Sequence, residues 1–75
     1  MQIPKNQQID ILEADFEVLW CAKVQALTEL RSSKMSQSTM AAMTGRSLKT
    51  IQRFENYKSK DAVLLFLYRN ILRNC

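Results

Sequence analysis

The chain has 75 residues, of which 47% are hydrophobic, and it contains one Gly and one Pro. This length suits a single domain with a modest core, and so few turn residues exclude a strand-rich fold and favour packed helices. The net charge is +4, made up of −3 in residues 1–30 and +7 in residues 31–75, a distribution that suits either a polyanion-binding surface or a solvated face.

The first predicted helical region follows a short polar segment. Residues 1–8, which include Pro4, are predicted to form a flexible arm. Residues 9–33 contain apolar residues at three- and four-residue steps, which predicts one long helix or two helices with a bend near Asp15. These apolar residues are Ile9, Leu12, Phe16, Leu19, Trp20, Val24, Leu27 and Leu30. For Phe16, Leu19 and Trp20 we expect burial in the core. Ser32 and Ser33 are expected to loosen the chain.

Two short helices are predicted next. Ser36 is a good N-cap for a helix over residues 37–43, and Gly45 suits a left-handed residue that ends this helix. Ser47 can cap a third helix that continues to about residue 55. Two short helices separated by a Gly-containing turn are typical of the helix-turn-helix unit, which we place at residues 36–56.

The last predicted helix completes an all-α fold. Residues 56–60 are polar and predict a loop, and Asp61 can cap a helix within residues 61–74. The sequence therefore predicts one compact domain of four to five helices over residues 1–75, with the helix-turn-helix at its centre.

The third predicted helix has two chemically different faces. At 100° per residue, Ile51 and Phe54 project to one side, whereas the opposite face holds Lys49, Gln52, Arg53 and Asn56. Arg and Lys side chains donate to guanine in the major groove of DNA, and amide side chains pair with adenine. An ordinary surface helix mixes acids with bases on its outer face. We therefore favour a DNA-reading helix over a merely solvated one.

The uninterrupted segment from Ser36 to Asn56 resembles the Cro/CI-type (Xre-like) helix-turn-helix family of phage repressors. The shared pattern is Ser-Gln, an aliphatic-Ala pair, a turn Gly, a small polar cap, Thr-Ile and a later Glu, and it covers 21 residues. The resemblance implies a lambda-repressor-like fold, in which the base-reading positions are Leu48, Lys49, Gln52 and Arg53. It also implies DNA-backbone contacts from Gln37, Arg46, Asn56, Lys58, Lys60 and Lys34, with Gln37 bracing the recognition helix.

The chain departs from the family pattern at several positions. Thr44 and Arg46 replace residues that are usually apolar or small. Tyr57 stands where many members have Gly, which predicts a differently shaped loop after the third helix. The family often pairs the late Glu with an Arg of the first helix, but Arg31 is offset by one residue from that position, which leaves a pair with Glu55 open.

The last predicted helix is apolar all round, so two of its sides need cover. The N-terminal helix, a second subunit or both can supply this cover, and we favour both. The dimer or core candidates are Leu64, Leu65, Leu67, Tyr68, Ile71 and Leu72. A two-fold dimer places two recognition helices about 34 Å apart, one DNA turn. A monomer with a well-covered core is the alternative.

The sequence offers little for catalysis or metal binding. It has no His, and Cys21 and Cys75 form no CxxC pair, so no metal site is expected. There is no Gly-rich phosphate loop or nucleophile elbow, and we expect neither an enzyme nor a cofactor or small-molecule ligand. The longest apolar run has seven residues and is too short to cross a membrane. Both thiols fit a reducing cytoplasm.

Together these features predict a sequence-specific regulator that binds double-stranded DNA. By resemblance it is a Cro-like repressor from a phage or mobile element, acting as a homodimer on a palindromic operator in the cytoplasm of a bacterial host. The alternative is a protein-interaction or antitoxin-like module on the same helical scaffold, with Phe16, Leu19 and Trp20 as its docking surface. Salt dependence separates the two, because a protein that contacts phosphates loses affinity steeply as salt rises.

Overall fold

The computed structural model describes the backbone of residues 5–75 and the side chains of residues 15–75. Four helices form this part of the chain, namely α1 (Lys5–Lys34), α2 (Gln37–Thr44), α3 (Leu48–Glu55) and α4 (Ala62–Arg73). The predicted all-α class is confirmed, with four helices and no strand among the described residues. No helix of this part is long and apolar enough to span a membrane.

Helix α1 is a single helix of 30 residues rather than two with a bend. It is about 45 Å long at 1.5 Å per residue, and it sets the longest of the molecular dimensions, 51 × 22 × 16 Å. The predicted loosening at the serines is wrong, because the Ser33 hydroxyl donates to the Leu30 carbonyl at 2.7 Å and both serines stay helical. Part of the predicted arm, residues 1–4, lies outside the described residues, and its remaining residues belong to α1.

The three predicted N-caps are confirmed. Ser36, Ser47 and Asp61 are extended, and each side-chain oxygen accepts a hydrogen bond from the backbone N–H three residues later, at 3.0–3.1 Å. These bonds satisfy N–H groups that have no partner within the first turn of a helix. The starts of α2, α3 and α4 therefore follow from local side-chain chemistry.

Helices α2 and α3 end in the same kind of turn. Gly45 has φ 71°, and the Arg46 N–H donates to the Ala41 carbonyl at 3.1 Å. After α3, Tyr57 has φ 62°, and the N–H of the next residue, Lys58, donates to the carbonyl five residues back at 2.9 Å. Both are the left-handed turn that commonly closes a helix. Tyr57 thus adopts a conformation that a glycine favours. The expected difference in loop shape from the Cro/CI-type family stays a prediction.

The core lies where the four helices meet. Its buried apolar residues are Trp20, Val24, Met40, Ala41, Ile51, Phe54, Leu64, Tyr68 and Leu72. Three aromatic rings run through it, with Trp20 edge-on to Phe54 at 6.2 Å between centroids and Phe54 tilted against Tyr68 at 4.9 Å. The predicted inward face of α3 is confirmed, because neither Ile51 nor Phe54 is exposed to solvent.

Two predictions about apolar faces need correction. Phe16 and Leu19, expected in the core, are 55% and 58% exposed, because the first core residue among the described side chains of α1 is Trp20. Ile9 and Leu12 lie outside the described side chains.

In α4, the residues that were predicted for the core or a dimer differ in burial. Leu64, Tyr68 and Leu72 are buried, while Leu65 and Ile71 pack at the margin of the core. Leu67 is half-buried. The large apolar residues of α4 that face solvent are Val63 and Phe66, at 58% and 62% exposed. A dimer contact through α4 would therefore use these two residues rather than the buried stripe.

Candidate nucleic-acid interface

The outer face of α3 carries the candidate base-reading residues. Lys49, Gln52 and Arg53 are exposed, and Leu48 is 41% exposed at the start of the helix. Lys49, Gln52 and Arg53 lie away from the buried Ile51 and Phe54, whereas Leu48 is about 60° from Ile51 and flanks the buried side. All four candidates are nevertheless exposed on one short helix. Asn56, which directly follows the helix, is also exposed.

The one acidic residue of α3, Glu55, is turned away from this face and is 7% exposed. Its carboxylate accepts four hydrogen bonds. Arg31 donates through Nε to Oε2 at 2.9 Å and through Nη2 to Oε1 at 2.8 Å. Tyr68 Oη donates to Oε2 at 2.6 Å, and Gln37 Nε2 donates to Oε1 at 3.1 Å. The outer face of α3 is thereby left without a carboxylate.

This network joins all four helices at one side chain. Arg31 comes from α1, Gln37 from α2, Glu55 from α3 and Tyr68 from α4. The bidentate Arg31–Glu55 pair answers the question that the one-residue offset left open. Arg31 continues the core-facing stripe of Trp20, Val24 and the half-buried Leu27 at steps of four, three and four residues, whereas Leu30 is 42% exposed. Position 31 therefore points at α3.

The network shifts the ionisation of its members. Burial alone would raise the pKa of the Glu55 carboxyl, but the hydrogen bonds from Arg31, Tyr68 and Gln37 outweigh it and hold the pKa below its usual value. The hydrogen bond to Glu55 raises the pKa of the Arg31 guanidinium. Burial, together with the hydrogen bond to Glu55, raises the pKa of the Tyr68 hydroxyl. At neutral pH the network therefore holds a carboxylate, a guanidinium and a neutral phenol.

Gln37 has one of its two predicted contacts. The resemblance implies that it braces the recognition helix, and its amide does bind Glu55 of α3. Its side chain is half-buried at the first position of α2. The phosphate contact that the resemblance implies stays a prediction.

The basic candidates for DNA-backbone contact have different surroundings. Lys58 is exposed in the turn after α3. Lys34 Nζ donates to the Cys75 carbonyl at 3.2 Å, Arg46 Nη1 lies 3.4 Å from Asp61 Oδ2, and Lys60 pairs with Glu17. The Lys60–Glu17 pair is exposed, whereas the Arg46–Asp61 pair is half-buried. Because exposed ion pairs contribute about 0–1 kcal/mol, a phosphate group can replace Glu17 as the partner of Lys60 at little cost.

Sequence reasoning missed two features near the candidate face. Thr50 and Ser59 line an open hollow of about 220 Å³ together with Arg53. Tyr68 was predicted for the core or a dimer, and its hydroxyl also completes the Glu55 network. No local sequence signal marks either feature, because the hollow depends on the path of the loop after α3 and the Tyr68 contact depends on how α4 packs against α3.

Comparison of the chain with family models, with curated proteins and with solved structures gives no match. The likeness of residues 36–56 to the Cro/CI-type family is thus a resemblance of sequence pattern, and the function that it implies is a proposal.

Proposed function

We propose that this protein is a sequence-specific regulator of transcription that binds double-stranded DNA through a lambda-repressor-like helix-turn-helix made of α2 and α3. The observation that carries the proposal is the outer face of α3, on which Lys49, Gln52 and Arg53 are exposed while Glu55 is buried. In this proposal α3 lies in the major groove of the operator, as recognition helices do.

Each side chain of this face has a chemical counterpart on a base edge. Lys49 and Arg53 donate to the guanine O6 and N7 acceptors, and Gln52 pairs with the N6 and N7 atoms of adenine. Leu48 offers an apolar contact to a thymine methyl group. With no carboxylate on this face of α3, no charge on it repels the phosphates that border the groove.

The position of α3 is fixed by the rest of the molecule. Base reading requires donors held to within a fraction of an ångström, which needs a rigidly supported helix. The carboxylate of Glu55 receives hydrogen bonds from three other helices, and Ile51 and Phe54 anchor the same helix in the core. The buried side of α3 thus supplies the rigidity that its outer side needs.

Phosphate contacts would come from residues around the ends of α2 and α3, namely Gln37, Arg46, Asn56, Lys58, Lys60 and Lys34. Such contacts fix the register of a protein on DNA without reading sequence. By resemblance to the Cro/CI-type family, the protein acts as a dimeric repressor on a palindromic operator in the cytoplasm of a bacterial host.

A duplex-binding titration at two salt concentrations tests the proposal. We expect fluorescence anisotropy to show binding to labelled duplex DNA at about 50 mM salt, with an affinity that falls by about a thousandfold or more at about 200 mM salt, because six or more phosphate contacts release counterions. Absence of duplex binding at micromolar protein and low salt would contradict the proposed function.

A protein-interaction module of the antitoxin-like kind is the second candidate. The observation that favours it is the pair of exposed apolar side chains on one face of α1, where Phe16 and Leu19 are 55% and 58% exposed. An apolar interface weakens little as salt rises, so the titration separates the two candidates. This candidate predicts no affinity for duplex DNA. It requires a partner protein whose affinity for this chain changes little as the salt concentration rises.

A further inference from the structure

Helix α1 has a second face beside the one that enters the core. The core face consists of Trp20, Val24, Leu27 and Arg31. The neighbouring face repeats residues at steps of three and four, namely Phe16, Leu19, Lys23, Ala26 and Leu30, all of them exposed. In the sequence, Ile9 and Leu12 continue the same spacing toward the N-terminus. Steps of three and four sustained over about three heptads are the pattern of a coiled-coil seam.

This face borders an open hollow between α1 and α4. The hollow has a volume of about 400 Å³ and is lined by Lys23, Ala26, Leu27 and Arg69. Its floor is apolar, and its edge carries one cationic side chain from each helix, Lys23 of α1 and Arg69 of α4. An apolar side chain from a helix that also carries acids would suit both the floor and the edge.

The same chain contains such a helix. Residues 5–19 of α1 carry one Lys against four acids, a net −3, whereas residues 20–34 carry a net +2, or +1 apart from Arg31, which is paired with Glu55 in the core. Two α1 helices paired in parallel would place acidic half beside acidic half and Lys23 beside Lys23. An antiparallel pair places each acidic half beside the cationic half and the hollow of the other copy. Charge therefore selects the antiparallel arrangement.

We propose that the face of α1 formed by Phe16, Leu19, Lys23, Ala26 and Leu30 binds the same face of a second copy of this chain, antiparallel and centred near Leu19. In this register Lys23 of each copy lies near residue 15 of the other. The inference specifies the surface of the dimer that the proposed function calls for, but its test uses no DNA, so it can fail while the DNA-binding proposal stands.

The test is sedimentation equilibrium of the full chain without DNA. We expect a dimer at micromolar concentration for the natural chain and a monomer for Leu19→Glu at the same concentration. Val18→Glu is the matched control, since Val18 is also apolar and exposed, at 68%, but lies outside the seam. It should leave the dimer intact. Because both side chains are exposed, both variants should keep the helical circular dichroism of the natural chain.

A charge exchange tests the orientation. Lys23→Glu and Asp15→Lys should each weaken the antiparallel dimer, and the double variant should restore it, because each substitution alone places like charges together. The proposed surface would be overturned if the natural chain were monomeric in this concentration range. It would also be overturned if the Leu19→Glu and Val18→Glu variants had the same oligomeric state. A dimer that Lys23→Ala strengthens, or that the double variant fails to restore, would overturn the antiparallel arrangement.

Discussion

Tyr57 and Gly45 occupy equivalent positions, because each is the left-handed residue that closes a helix. For an L-residue this conformation costs about 1–2 kcal/mol, because the Cβ atom crowds the following carbonyl oxygen, whereas glycine avoids the cost. A Cβ atom added at Gly45 would meet no other atom within 4 Å. The requirement at both positions is therefore one of backbone conformation rather than of space.

Substitutions at these two positions should have opposite effects. We expect Tyr57→Gly to raise the free energy of unfolding by about 1 kcal/mol and Gly45→Ala to lower it by about 1 kcal/mol. Urea denaturation followed by circular dichroism measures both. Tyr57→Phe keeps the backbone penalty and serves as the control, with stability unchanged. Loss of stability in both Tyr57→Gly and Gly45→Ala would show that the Tyr57 ring contributes more than its backbone costs.

Tyr68 is the other tyrosine with a particular role, since its hydroxyl donates to the buried Glu55 carboxylate at 2.6 Å. The pKa of Glu55 is lowered in the folded state, so its contribution to stability is present above the ordinary value of 4.5 and is lost as pH falls through the lower, folded value. The unfolded state binds this proton more readily, and acid therefore favours unfolding.

Removal of the Tyr68 hydroxyl should weaken both the fold and its sensitivity to acid. We expect Tyr68→Phe to lower the free energy of unfolding at neutral pH by about 1.5–3 kcal/mol, the contribution of a hydrogen bond to a charged group. The pKa of Glu55 should move up toward its ordinary value, so the loss of stability below pH 4.5 should become shallower. Urea titrations from neutral to acidic pH measure both effects. Tyr57→Phe, at an exposed tyrosine, should change neither.

At the scale of elements, the starts of three helices could be predicted because each depends on a few neighbouring residues. Ser36, Ser47 and Asp61 reach N–H groups only three residues ahead, so their role is visible in the sequence. The orientation of α1 could not be predicted in the same way. Phe16 and Leu19 repeat as regularly as Trp20 and Val24, and periodicity alone does not tell which of two adjacent stripes meets the other helices.

Part of the candidate site could likewise be predicted from the sequence, and part could not. The outward face of α3 could be predicted because helical geometry fixes it relative to Ile51 and Phe54, both fully buried. The pairing of Arg31 with Glu55 could not, because it depends on how α1 packs against α3 across 24 residues of sequence. Likewise, the partners of Arg46 and Lys60 come from other parts of the chain.

Two positions near α3 should respond differently to loss of charge. We expect Lys49→Ala to relax the choice of base at particular positions, at a cost of about 1–3 kcal/mol in binding free energy to the preferred site. Lys58→Ala should weaken binding to all duplexes alike and reduce the salt slope by about one, because a phosphate contact carries no sequence information. Anisotropy titrations with preferred and scrambled duplexes measure both. Equal behaviour of the two variants would mean that the outer face of α3 does not read bases.

At the scale of the whole molecule, charge and shape divide it into two regions. Residues 31–75 carry a net +7 and include α2, α3 and α4, whereas residues 1–30 carry a net −3 and form most of the long helix α1. The positive region holds the candidate DNA-binding residues, and the acidic region lies in the helix that we propose joins two copies. The two regions meet where Glu17 of α1 pairs with Lys60, one of the candidate phosphate contacts.

Selection of binding sites from a library of random duplexes tests the central claim most directly. The natural chain should enrich an inverted repeat whose half-sites lie about 34 Å, or one DNA turn, apart, because a two-fold dimer presents two α3 helices to the same face of the duplex. Duplexes captured without enrichment of any sequence, even at salt concentrations where binding is strong, would contradict the claim that α3 reads DNA.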